Sequence, residues 1–192
     1  MTIAIKRRIY FINSDKVSYD LNNNTTMSQK IALLITGCYA DLYASMQALQ
    51  VADRMDARIY VLQMTEGQTE CIGARKKMKP DEISDLIGMI AWLGEIERIG
   101  ISFNVVGRDS DKELIEFLRS NEITCIVAGA HDNQSLKQRK EWLESLQEEL
   151  GSDELWFQRS FQVLVTLPWD DLPFSRALQQ MGYKKKQPGG HK

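Results

Sequence analysis

Two short segments hold most of the residues in this chain that could do chemistry. After the apolar run ITCIVAG (123–129) the sequence continues A-H-D-N-Q-S. A phosphate cradle needs free backbone N–H groups at a helix amino end and no side chain in the way. Gly129 could serve that close approach. His131 follows at the same turn, either as an acid–base or base-stacking group or as a surface-loop histidine with no role. Asp132 argues against phosphate, because its carboxylate would repel the anion. Asp132, Asn133 or Ser135 can each cap the helix amides with its own side chain, which fills the anion position from within.

The second segment is TGCYADLYAS (36–45). A Thr-Gly turn opening a helix is a phosphate-binding arrangement in flavodoxin-like proteins. Thr36, Gly37 and Cys38 also resemble the opening of flavin-decarboxylase-like proteins over one strand–helix unit. Cys38 is either a thiol activated by a helix amino end or a half-buried turn residue. A flavin or thiol enzyme at Cys38 is therefore one alternative. Cys125 lies inside an apolar strand and reads as packing. No HExxH, GxSxG, Walker-A or GxGxxG pattern occurs, and no nucleophile and base stand at a spacing that pairs them, so no residue is assigned as catalytic.

The elements that position these turns alternate. Continuous apolar runs predict strands at 31–36, 58–64, 101–106, 124–128 and 161–167. Between them, helical periodicity predicts helices near 42–55, 81–99 and 135–150, with a further one carrying Leu114, Ile115 and Leu118 on one face. Pro80, Asp81 and Glu82 start the second helix, and Asp109 or Ser110 caps the third. Such alternation implies an open, mostly parallel five-stranded sheet with helices on both faces, a Rossmann-like α/β fold. Ligands of such sheets bind beyond the carboxyl ends of the strands, where strand order reverses. Thr36, Gly37, Cys38, Met64, Gly107, Gly129 and His131 then surround one crevice. Residues 1–29 read as an N-terminal arm in which IKRRIYFI could be a short strand. The compact domain begins near Met27 and spans 30–169, and 170–192 is a short helix with a basic tail.

Composition narrows the class. The chain has 192 residues, 43% hydrophobic and 26% charged, with a net charge of −2. That is the profile of an ordinary globule without the basic field that nucleic acid or an anionic membrane would call for. The apolar runs are too short to insert in a membrane, and the amino terminus lacks a signal-peptide core. Cys38, Cys71 and Cys125 have no CxxC or zinc-ligand spacing, which suits a reducing cytoplasm.

The stretch from Lys30 to Trp169 resembles the universal stress protein family, above all in VVGRDSDKELIEFLRSNEITCIVAGAHD. The resemblance implies an adenine-nucleotide alpha-hydrolase-like fold. In the nucleotide-binding branch, a glycine, two residues, a second glycine, nine residues and Gly-Ser/Thr wrap the phosphates, and an aspartate ends the first strand. Here Gly129 matches the first glycine, Asp132 and Trp142 replace the next two, and Thr36 stands at the aspartate position. The implied function is a regulatory or stress-response protein without catalysis, acting through an unknown protein partner. The alternative is an adenine-nucleotide sensor binding ATP or AMP through a degenerate loop. The family commonly dimerises through its final strand, which places a homodimer edge at Phe161–Leu167. Trp142, Trp156, Phe157 and Phe161 read as core filling or as part of that interface.

Overall fold

β2 (Lys30–Ile35) is apolar after its first residue, and Ile31 to Ile35 are all buried. Burial on both faces is what a central parallel strand demands. The computed structural model describes residues 9–12, 29–64, 77–107, 110–151 and 161–168. After β2 come α1 (Ala40–Met55), β3 (Arg58–Met64), α2 (Pro80–Glu97) and β4 (Ile101–Val106). Then follow α3 (Ser110–Ser120), β5 (Cys125–Gly129), α4 (Asn133–Gly151) and β6 (Gln162–Thr166). These five strands are parallel neighbours in the order β6-β5-β2-β3-β4. Strand order reverses between β2 and β5, as the crossover pattern requires.

The sheet separates two apolar layers. On one face Ile31, Leu33, Ile35, Ile59 and Val61 pack with α1 and α2 through Leu42, Leu49, Leu86 and Ile90. On the other, Ala32, Leu34, Ile126 and Val163 pack with α3 and α4 through Leu114, Leu118, Leu143 and Leu146. Alternate side chains of one strand therefore serve different helices. Predicted bounds match the elements to within about two residues, the usual slack at helix and strand ends.

The amino-terminal arm does contribute a strand. β1 (Ile9–Ile12), within IKRRIYFI, is a sixth strand that pairs antiparallel with β6, placing Ile9 beside Thr166 and Ile12 beside Val163. β6 is thus an interior strand among the described residues, and the free edge expected at Phe161–Leu167 is already occupied. The physical reason is that an apolar edge left bare is a liability, which a short strand from the other end of the chain removes. The expected carboxyl-terminal helix and tail, Trp156, Phe157 and the Asp109 cap lie outside the described residues.

Candidate functional site

Thr36, Met64 and Gly129 do come together, because β5, β2 and β3 are adjacent and in register. Ile35 pairs with Gln63, and Leu33 pairs with Val127 two steps before Gly129. The crevice expected at the carboxyl ends of the strands is therefore where the β2–α1 and β5–α4 turns face each other. What fills those turns is the protein itself.

At the β2–α1 turn the decisive residue is Asp41, which is not among the residues singled out from the sequence. Tyr39 at the N-cap makes no side-chain cap bond, so the amides of the turn must find another acceptor. Asp41, in the first turn of α1, folds back over it. Its Oδ2 accepts the backbone N–H of Thr36 at 2.8 Å and of Cys38 at 3.0 Å. Its Oδ1 lies 3.2 Å from both Thr36 Oγ1 and Cys38 Sγ. The carboxyl group is wholly buried. Burial first, then the neighbouring Cys38, holds its pKa well above the usual carboxylate range, and the Arg139 guanidinium pulls the other way without matching them. An acid three residues after Cys38 in a helix lacking a capping side chain was the available signal.

The turn is also roofed. Gly37 adopts φ 75°, a left-handed conformation that glycine reaches without strain. Its carbonyl accepts the N–H of Met78 at 2.8 Å, and Lys77 bridges antiparallel to Cys38. Met78 is buried against the α1–α2 core. Cys38 is 3% exposed and lies beside a carboxyl oxygen. A thiolate there would face that acid in low dielectric, so the geometry opposes an activated thiol. Cys125 is likewise buried, and burial pushes its pKa up to about 12.

At the β5–α4 turn the cap is reciprocal. Asp132 Oδ1 accepts the N–H of Ser135 at 2.8 Å, while Ser135 Oγ accepts the N–H groups of His131 at 2.8 Å and Asp132 at 2.9 Å. This is a capping box in which an aspartate and a serine satisfy the amides that a phosphate would otherwise take. Bonding to Ser135 holds Asp132 below the usual carboxylate range. Gly129 has a structural reason of its own. A Cβ there would lie 2.6 Å from Ala40 C and 2.7 Å from Ala40 O, so the glycine lets the start of α1 pass close to β5.

His131 Nδ1 is buried at this turn with no hydrogen-bond partner among the described residues. Trp142, at the position where the resemblance expects a glycine, packs against the α3–α4 layer and donates Nε1–H to Asp111 Oδ1 at 3.0 Å. Arg139 lies 5.4 Å from its ring centre, at cation–π range. Lys137 pairs with Glu141 on the exposed face of α4 at 3.8 Å. No group of acidic, histidine or cysteine residues among the described ones could hold a metal, and no described helix is long and apolar enough to cross a membrane.

An open pocket of about 390 Å³ lies at the opposite end of the sheet, lined by Asp53, Asp56, Arg58, Glu97 and Arg98. It sits at the carboxyl ends of α1 and α2, where the helix dipoles and three acids disfavour a phosphate.

No family model matches the chain, and no curated protein matches it. Among solved structures it resembles a universal stress protein in complex with cAMP, at 14% identity and a TM-score of 0.45 over 72% of this chain and 96% of that one. A universal stress family protein from Burkholderia pseudomallei gives 15% identity and 0.44 over 76% and 99%. One from Arabidopsis thaliana with AMP bound gives 12% and 0.43 over 76% and 96%. These are likenesses of overall shape at low identity. The α/β assignment itself rests on the parallel register and the strand order β6-β5-β2-β3-β4.

Proposed function

We propose that this chain is a universal-stress-type regulatory or stress-response protein that works without catalysis, through contacts with other proteins. The observation that carries the reading is the Asp41 carboxyl group, which accepts the Thr36 and Cys38 amides where an anionic ligand would need them. The Asp132–Ser135 cap supports it at the second turn flanking the reversal of strand order. With donors at both turns bonded internally, a phosphate would have to displace a carboxylate at each. The family part of the reading leans on the segment VVGRDSDKELIEFLRSNEITCIVAGAHD and on the strand order. Partners would read the surface around residues 131–150 together with the segment 65–80, most of which lies outside the described residues.

The second reading is an adenine-nucleotide sensor with a degenerate phosphate loop. His131 favours it, because a buried ring nitrogen with no partner among the described residues could accept a hydrogen bond from an adenine amino group at the crevice. Native mass spectrometry of freshly purified protein separates the two. The first reading expects the bare chain mass and a pull-down that recovers a partner protein. Stoichiometric co-purified ATP or AMP would overturn it in favour of the second.

A further inference from the structure

We propose that β4 is the surface through which two copies of this chain join, pairing antiparallel about a two-fold axis at Phe103. The two edges of the sheet are not alike. β6 is covered by β1, but no strand among the described residues pairs with the outer side of β4. Six residues long, β4 reads ISFNVV, with no charge and no proline, the devices that normally protect an edge. Phe103 is 44% exposed and Val105 64% exposed.

The hydrogen-bond pattern says which groups are open. Ile59 N–H donates to Gly100 O at 2.9 Å, and Ile59 stands opposite Ile101. In a parallel ladder of that phase, Ser102 and Asn104 bond to β3 through both backbone groups and Val106 through its N–H. Ile101, Phe103 and Val105 then aim their N–H and C=O groups outward. The open groups are thus centred on Phe103, with an apolar residue two positions away on either side.

That arrangement is self-complementary. A second β4 laid antiparallel puts Phe103 opposite Phe103 and Ile101 opposite Val105, so every outward group meets a partner; these hydrogen-bonded pairs are apolar, and the uncharged Ser102 and Asn104 stand opposite each other between them. The ends match in charge as well. Arg58 lies against Gly100 at the start of the strand, and Glu113 Oε2 accepts the Gly107 N–H at 2.6 Å at its finish. Antiparallel pairing brings the Arg58 end of each copy to the Glu113 end of the other. No like charges meet along the strand, which favours a copy of this chain over a partner selected by charge.

Sedimentation equilibrium of the full chain tests this, with Phe103→Lys and Val105→Lys combined in one variant. The wild type is expected to be a dimer at micromolar concentration. The double variant is expected to bind itself at least about 30-fold more weakly, as when a central aromatic contact is lost, while its circular dichroism is unchanged. A second measurement stands even if that variant misfolds. Directly opposed residues in such a pair have Cα atoms about 5.5 Å apart, within disulfide range. Phe103→Cys should therefore cross-link on mild oxidation, and mass spectrometry should find two copies of the β4 peptide joined through the substituted position. A monomeric wild type, a dimer that withstands both lysines, or no such cross-link in Phe103→Cys would overturn the proposal. The second of these outcomes would place the interface elsewhere, β6 included.

Discussion

The β2–α1 and β5–α4 turns use the same device under opposite conditions. Each places an aspartate where a helix amino end would otherwise receive an anion. Asp41 is wholly buried and collects two amides, a hydroxyl and a thiol, and burial raises its pKa. Asp132 is exposed and takes the Ser135 amide, and bonding lowers its pKa. The difference separates two jobs. Asp41 is part of the core and closes the turn permanently, whereas Asp132 is a surface cap that solvent can replace.

The largest expected effect follows from that contrast. Asp41→Ala strands the Thr36 and Cys38 amides, at about 1–3 kcal/mol for each buried donor, so about 2–6 kcal/mol in total by urea unfolding. Asp41→Asn keeps one oxygen for both amides and offers an NH2 group towards Thr36 and Cys38. Because one acceptor oxygen for the two amides is kept, this variant should cost less than about 1.5 kcal/mol. A loss equal to that of alanine would show that the acceptor oxygen is not what closes the turn.

Next in size is Gly129→Ala, whose methyl group meets the Ala40 backbone and not a flexible side chain. Overpacking of this kind costs about 1–3 kcal/mol. Tolerance of alanine there would mean that α1 can move off β5, and the glycine would need another explanation. Asp132→Ala should cost about 1 kcal/mol, the usual value of an N-cap, with the loss read from the same unfolding curves.

The pH dependences should have opposite signs. Asp41 has a raised folded pKa, so its contribution is fully present below the ordinary value of 3.8 and is lost as pH rises through the folded value. Asp132 has a lowered one, so its contribution is present above 3.8 and is lost as pH falls through the folded value. Unfolding midpoints measured against pH for Asp41→Asn and Asp132→Asn, each relative to wild type, should diverge in these two directions. Parallel curves would break the comparison.

The sequence made some of this plain and hid the rest for identifiable reasons. Continuous apolar runs such as IALLI and CIVAG can only be doubly covered strands, so the parallel sheet and its crevice were readable. Asp132 was readable because a cap acts on its own neighbours, and Ser135 lies three residues on. Asp41 was not, because its role depends on the chain folding back on Thr36 and on burial supplied by distant elements. The pairing of β1 with β6 spans more than 150 residues, a separation that local periodicity cannot register. The closure of Gly37 by Met78 was hidden for the same reason, since it brings the start of α2 back over the β2–α1 turn.

The most direct test is an amide NMR titration of the wild-type chain with ATP, following the Thr36, Cys38 and Ser135 resonances. With their N–H groups held by Asp41 and Asp132, all three should stay in place up to millimolar ligand. Saturable movement of the Thr36 and Cys38 signals would mean that the anion displaces the buried carboxyl group, contradicting the account at its centre.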